Sequence, residues 1–504
     1  MSGTSPAPGG NLTGTVPAPV VPAQRTRGRH AQGYRPDAAG PPVRAHRAPT
    51  AAGRRWVAPA WAGPAVLLGL VVAQSALWAG LYAVQAAGQP LGTYLGQAVG
   101  AVAVLLMAQA LVLVSTLPLV EPWFGGIDRA AIWHRRVAIA GTVLLPLHAM
   151  TAENEAPSRL GPGLGVAGMT GLTVLVLWSV LPRWRSLLPG AVHPPIVVLA
   201  ERRPVRLVRS WLGGYGRWRN VHRLIGLCVA VGAAHGLLDA TVFGSSVLRW
   251  TYVVEAGIGL AFYVHHELVA PWTSARHDYQ VDAVTDLGQG LTELSLRPLG
   301  RPVRFRPGQF TTVYLEAKDG WHRHPFSIAG APSDPTLRFT VKALGDYTSR
   351  LRELVEPGMP AVVSGAHGHF DHRRGTGRQV WIAGGVGVAP FLSWLRSASG
   401  CPLPERVDLF LSTDGPSPFA EEITAIAAAN LGLRVHLVNT RVDGRLTADR
   451  VLDAVGSAEG GAGDVAGLSV FMCGPEPMLR AMAGGVRAAG VPRRRVHREY
   501  FDWR

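Results

Sequence analysis

The sequence predicts a multi-domain chain: a six-helix transmembrane bundle, then an antiparallel β-barrel, then an α/β domain with a doubly wound parallel sheet. Three observations predict it. Six apolar runs of roughly membrane-spanning length fill residues 59–271. Short β-type runs punctuated by Gly and Pro occupy 275–376. Residues 377–504 then alternate strand, glycine-rich turn and helix.

Residues 1–58 are rich in Pro, Ala, Gly and Arg and have no apolar periodicity. Such a composition cannot bury a core, so a disordered basic tail is expected. The first apolar run begins too far from Met1 to be a signal peptide. The 504-residue chain carries a net charge of +16 although only 16% of its residues are charged. Arginine clusters in the tail and in short stretches between apolar runs, which is how membrane proteins mark their cytoplasmic face. No nucleic-acid motif accompanies the charge, so lipid rather than nucleic acid is the expected partner. The three cysteines, Cys228, Cys401 and Cys473, fall short of the four thiolates of a cysteine-ligated iron–sulfur cluster. Nor do they make a paired framework, so no iron–sulfur cluster or disulfide scaffold is expected.

The apolar runs cover residues 62–86, 94–119, 131–150, 164–181, 221–243 and 252–269. The connection after the second holds Arg129, Arg135 and Arg136. The connection after the fourth holds Arg183, Arg185, Arg202, Arg203, Arg206, Arg209, Arg217 and Arg219. The alternate connections hold little beyond Arg159 and Arg249. This asymmetry predicts a multi-pass cell-membrane protein with both termini in the cytoplasm.

Runs three and five each carry two histidines. Thirteen residues separate His134 from His148, and twelve separate His222 from His235. Each pair then spans about 20 Å along its helix. Both runs travel outward, so the first histidines face each other near the inner side and the second near the outer side. Four imidazoles at two matched depths could ligate two bis-histidine haems, with iron as the metal, the alternative being polar residues at helix interfaces or ends. A step of thirteen places His235 well round the helix from His222. A local distortion at Gly226 or Gly232, or a different azimuth for the two haems, is therefore expected. Arg135, Arg136 and Arg223 are candidates to pair with haem propionates.

These six spans with their two histidine pairs resemble the ferric reductase and NADPH oxidase superfamily, from about residue 60 to the C-terminus. The resemblance implies two b-type haems in residues 59–271. It also implies a ferredoxin-reductase-type FAD domain at 275–376 and an NAD(P)-binding domain at 377–504. The segment "HPFSI" matches the family's flavin signature, with His324, Pro325, Phe326, Ser327 and Ile328 lining the isoalloxazine. "VKALGDYTSRL" resembles its pyrophosphate segment, through Val341, Gly345, Asp346, Tyr347 and Thr348, the last opening a helix whose amides attract phosphate. "GGVGVAP" follows an apolar strand and opens a helix. Its Gly384, Gly385, Gly387, Val388 and Pro390 let backbone amides approach a dinucleotide. "MCGPEPML" supplies Cys473, Gly474 and Pro475 beside the nicotinamide, Cys473 as a neighbour and not a nucleophile. In the C-terminal "HREYFDWR", Glu499 and Phe501 match an E-x-F pattern whose ring stacks on the flavin, with Tyr500 and Trp503 as competitors.

The implied activity is NAD(P)H-dependent transmembrane electron transfer, with Ser327, Cys473 and Phe501 around the reacting flavin. The acceptor expected first is ferric iron or another metal, because the short loop between spans five and six builds no elaborate cap for O₂. Glu153 and Glu155 on the other outer loop could attract a cation. A superoxide-forming oxidase with O₂ as acceptor is the alternative. A six-span transport or sensor protein with a nucleotide-binding module is a third reading, and it leaves the four histidines unexplained. No acid–base triad, metal-hydrolase motif or P-loop occurs. After "VDLFLST" only Ser412 and Thr413 are at hand for a 2′-phosphate.

Overall fold

The computed structural model describes residues 58–59, 61–85, 90–115, 120–151, 160–180, 215–270, 276–457 and 465–499. Apart from Ala58, the expected tail lies outside them. The first half is helical: α1 Ala62–Gln85, α2 Leu91–Leu113, the four-residue α3 Glu121–Phe124, α4 Ile127–Thr151, α5 Gly161–Val180, α6 Tyr215–His222, α7 Ile225–Asp239 and α8 Ser246–Val264. Long runs of Ala, Leu, Val and Gly with few charges leave the backbone to satisfy itself, which a helix does.

Among the described residues, five helices are long and apolar enough to cross a membrane: Ala62–Val84, Leu91–Leu113, Gly161–Ser179, Trp218–Asp239 and Ser246–Val269. The expected sixth, α4, is 25 residues long but less apolar, since it carries His134, Arg135, Arg136, Pro146 and His148. Small residues bring the helices close. A Cβ added to Gly168 of α5 would lie 3.0 Å from the Gly232 nitrogen of α7, and one on Gly259 of α8 would meet Ala108 of α2.

The fifth apolar run breaks at Arg223–Leu224, between α6 and α7, and not at Gly226 or Gly232 as expected. Leu224 and Leu227 donate to carbonyls three residues back. The Tyr263 hydroxyl takes the Arg223 carbonyl at 2.8 Å. A stretch with three residues per turn advances the chain about 120° per residue instead of about 100°. That extra rotation swings His235 back toward the face of His222.

The second half begins with an antiparallel sheet of six strands: β1 Arg276–Gly288, β2 Leu291–Pro298, β3 Phe310–Ala317, β4 Gly320–Ser327, β5 Leu337–Lys342 and β6 Pro360–His367, in the order β4-β3-β6-β1-β2-β5. Alternating apolar residues turn one face inward, where Leu294, Leu296, Val313, Leu315, Phe339 and Val363 are wholly buried. Ile328 bridges Phe339, so the sheet curls into a partly closed barrel and not a continuous one.

The last unit is a parallel sheet of β7 Arg378–Gly384, β8 Arg406–Thr413, β9 Leu433–Asn439, β10 Ser469–Cys473 and β11 Val496–Glu499, ordered β11-β10-β7-β8-β9. Helices α9 Ala389–Arg396, α10 Ala420–Ala428, α11 Ala448–Ser457 and α12 Glu476–Ala488 connect the strands. The chain winds β7, β8, β9 to one side and returns to place β10 on the other side of β7. The crevice at the carboxyl ends of β7 and β10 is therefore the switch point at which such sheets take ligands. Arg396, 7% exposed, joins this sheet to the barrel by donating to the Ala329 carbonyl at 3.0 Å.

Candidate functional site

The four helix histidines form two facing pairs. His134 and His222 have ring centroids 6.1 Å apart, and so have His148 and His235. Each Nδ1 is occupied: His134 by the Ala110 carbonyl at 2.9 Å, His148 by Gly96 at 2.8 Å and His235 by Gly161 at 3.0 Å. His222 Nδ1 meets the Ser179 hydroxyl at 2.7 Å, and that hydroxyl already donates to the Leu175 carbonyl. Every Nδ1 therefore donates, which leaves every Nε2 with its lone pair free to ligate.

Two imidazoles bound to one iron at about 2 Å each place their rings about 6 Å apart. The spacing fits. Glycines leave room beside the second pair: a Cβ on Gly100 would lie 2.7 Å from His148 Nδ1, and one on Gly165 2.9 Å from the His235 ring. Among the described residues no three metal-ligating side chains converge. Arg223, a candidate for propionate pairing, is instead paired with Glu267. Arg136 lies 4.8 Å over the Trp133 ring. Glu153 and Glu155 lie outside the described residues.

In the barrel, β4 carries His324, Pro325, Phe326 and Ser327. Ser327 pairs in register with Phe310, and Phe310 pairs with His367. A Cβ on Gly368 would lie 3.2 Å from the Phe310 ring and 3.9 Å from Glu499 Oε1. The end of β4 thus faces the end of β11. Tyr347 stacks on His324 at 4.5 Å and on His322 at 4.2 Å. Its buried hydroxyl has no partner, and burial followed by the Asp319 charge raises its pKa. An orphaned phenol against a row of rings is a surface that a flavin would complete.

The expected phosphate-binding helix after Gly345 is only four residues, Asp346–Ser349. The Thr348 hydroxyl accepts from the Leu344 and Gly345 amides at 3.1 and 3.0 Å, so those two donors are already used. Val341 is buried in the barrel core, and Asp346 is exposed.

At the switch point, Gly384 ends β7 and Gly474 follows β10. A Cβ on Gly474 would sit 3.0 Å from Gly384 Cα, and one on Gly387 would strike the Cys473 carbonyl. Only glycines allow this notch. Gly385 to Val388 form a 3-10 turn, and α9 begins after it, with Pro390 in its first turn. Cys473 is wholly buried, aligned with Ala383 and Glu499 on its neighbouring strands. Burial and then the Glu499 charge raise its thiol well above the ordinary range, which suits a protonated neighbour and not a nucleophile. Phe501, Tyr500 and Trp503 lie outside the described residues.

Sequence reasoning missed several residues. Lys342 Nζ lies 3.7 Å from the Cβ position of Gly385. Arg441 reaches Asp414, just past β8, at 2.6 Å, supplying the arginine that the strand's own sequence lacks. Glu121 of α3 meets the loop after β6. Asp239 lies 3.2 Å from His235 Nδ1. Only Asp239, four residues after His235, had a local signal.

Residues 279–380 match an FAD-binding domain family. The reductase component of the naphthalene 1,2-dioxygenase system of Pseudomonas putida is 26% identical over 210 residues, 40% of this chain and 62% of that one. The ferredoxin–NAD(+) reductase component of the alkene monooxygenase system of Xanthobacter autotrophicus is 31% identical over 236 residues, 45% of this chain and 69% of that one. Dual oxidase 1 of Canis lupus familiaris is 32% identical over 120 residues, 22% of this chain and 8% of that one. The chain thus spans about two thirds of the two reductases.

Proposed function

The soluble half of the chain belongs to the ferredoxin–NAD(P)+ reductase family of flavin-dependent oxidoreductases, and from that premise we propose that the whole protein is a membrane flavocytochrome. It moves electrons from cytoplasmic NAD(P)H through FAD and two b-type haems to an extracytoplasmic acceptor, ferric iron or another metal first. A flavin accepts a hydride pair and releases electrons singly, and haem iron carries one electron at a time. The observation that carries the reading is the two facing histidine pairs, each with ring centroids 6.1 Å apart.

In this reading α4 is the sixth span, and both termini are cytoplasmic. His134 and His222 hold the inner iron, His148 and His235 the outer. His324, Phe326, Ser327 and Tyr347 line the flavin. The glycine notch at Gly384, Gly387 and Gly474 seats the dinucleotide, with Lys342 beside its phosphates. Cys473 and Glu499 flank the nicotinamide end, and Phe501 is the candidate stacking ring. Holding nicotinamide and flavin at near-attack distance is the chain's main contribution to hydride transfer.

The similarity to dual oxidase 1 favours a second reading of the acceptor, O₂ reduced to superoxide. Reconstituted vesicles given Fe(III) chelates or O₂ outside decide between the two. The haem reading is tested by reduced-minus-oxidised spectra of the purified chain. His134→Leu or His222→Leu should remove one haem, and His148→Leu or His235→Leu the other. Unchanged haem content in all four variants would overturn the ligand assignment.

A further inference from the structure

We infer that Asp239 is a positioning residue for His235 and makes the outer ligand pair electrostatically more negative than the inner one; this rests on the haem reading above. Three of the four histidines give Nδ1–H to neutral oxygens: His134 to Ala110, His148 to Gly96 and His222 to Ser179. His235 likewise gives Nδ1–H to a neutral oxygen, the Gly161 carbonyl at 3.0 Å, but a carboxylate oxygen, Asp239 Oδ2, also lies 3.2 Å from that nitrogen as a charge contact without a hydrogen bond. The Asp239 side chain is 9% exposed. Its place on α7, four residues after His235, puts it over the same helix face.

A carboxylate packed against the far side of a ligating imidazole limits how the ring can turn and places negative charge beside the ligand pair. A buried negative charge also favours the more positive oxidation state of a nearby metal. An iron held by His148 and His235 would therefore give up its electron more readily than one with neutral oxygens alone nearby, and could serve an acceptor of lower potential. The contact lies at the outer pair, whereas the Nδ1 atoms of the inner pair meet the Ala110 carbonyl and the Ser179 hydroxyl.

Asp239 has a competing role. Gly161 opens α5, and a Cβ there would collide with the Asp239 carboxyl, so this carboxylate also sits at the start of that helix. Charge and capping can be separated, because asparagine caps a helix about as well as aspartate but is neutral. The experiment is a spectroelectrochemical titration of full-length protein in detergent, with ferric low-spin EPR alongside, for wild type, Asp239→Asn and Asp239→Glu. Asp239→Asn should keep two haems per chain, raise one midpoint potential and leave the other in place, with a changed EPR signal from that haem only. Asp239→Glu should return that midpoint toward wild type. If Asp239→Asn instead loses one haem, retention of that haem at the wild-type midpoint in Asp239→Glu still supports the role of charge. Two unchanged midpoints in Asp239→Asn would overturn the inference and leave Asp239 as a helix cap. Equal loss of the haem in both variants would overturn it too. Wild-type protein without any bis-histidine haem signal would sink the haem reading itself, and this inference with it.

Discussion

Glu121, on the short helix between α2 and α4, accepts a hydrogen bond from the Gly368 amide at 3.2 Å. His369 Nε2 lies 3.3 Å and His367 Nδ1 3.9 Å from the same carboxylate. The bond joins the helical half of the chain to the loop that follows β6, beside the Phe310 and Ser327 end of the barrel. Gly368 adopts φ +100°, which favours glycine and lets its N–H point at the helix.

Removing this contact should uncouple the two halves while sparing each. A hydrogen bond to a charged group is worth about 1.5–3 kcal/mol, roughly a tenfold change or more in the docked population. Glu121→Ala should therefore slow NAD(P)H-driven haem reduction about tenfold and leave dye reduction by the flavin unchanged. Burial pushes the Glu121 carboxyl up, but His367, His369 and the Gly368 amide outweigh it, so its pKa lies below the ordinary 4.5. A depressed folded-state value means the contact is fully present above that range and is lost as pH falls through it. Stopped-flow haem reduction scanned downward from pH 6 to about pH 3 should show this loss in wild type and not in Glu121→Gln. Equal acid sensitivity in both proteins would dismiss the latch.

What was legible in the sequence was local. The histidine pairs were drawn from spacing within single apolar runs, and the glycine turns from the strands before them. Contacts closed by tertiary folding were not legible: Glu121 and Gly368 are 247 residues apart, and Ser179 and His222 are 43 apart. The break near His222 shows why propensity misleads. Glycines drew attention to Gly226 and Gly232, yet the chain distorts where the Tyr263 hydroxyl waits to take a freed carbonyl. The helix after Gly345 is short, and the Thr348 side chain takes the Leu344 and Gly345 amides just before it.

The glycine notch predicts a selective defect. Gly387→Ala would drive a methyl into the Cys473 carbonyl, a backbone atom that cannot turn aside. The turn must shift, costing about 1–3 kcal/mol. The Michaelis constant for NAD(P)H should rise about tenfold while bound FAD, held by the barrel, stays at wild-type content. Loss of FAD together with nicotinamide binding would mean that the two sites are not separable in this way.

Nicotinamide choice should depend on Asp414 and Arg441. In doubly wound dinucleotide sites an acid near a strand end takes the ribose 2′-hydroxyl, and an arginine takes a 2′-phosphate. Here Asp414 follows β8, Arg441 follows the neighbouring β9, and the two bond each other at 2.6 Å. Arg441→Ala should cost NADPH several-fold more kcat/KM than NADH, and Asp414→Ala should shift the ratio the other way by freeing the arginine. An unchanged ratio in both variants would place the adenosine ribose elsewhere.

The last prediction concerns acid stability of the FAD and NAD(P) module. His372 lies in the 3-10 turn His372–Arg374 before β7 and is 2% exposed, its ring 5.2 Å from Trp394 and 5.8 Å from Trp381. Burial pushes its pKa down to about 4, with the Asp371 charge opposing and Arg373 adding to the fall. The unfolded chain has a histidine near 6.5, so the unfolded state binds the extra proton between those values. The stabilisation is thus fully present above pH 6.5 and is lost as pH falls toward 4. The difference corresponds to about 3 kcal/mol. His497, stacked on Phe471 at 4.3 Å and also lowered to about 4 by burial and then by Arg374 and Arg129, loses stability in the same window. Asp371 and Asp408, whose values are lowered despite burial by Arg373 and by His436 with Arg434, lose theirs below it. Thermal release of flavin from the full chain, scanned from pH 7 to pH 4, should therefore fall steeply in wild type. His372→Gln should start lower, because its ring no longer fills the space beside the tryptophans, but should fall less over that interval. A slope in His372→Gln as steep as wild type would mean that the buried histidine is not what the acid finds first.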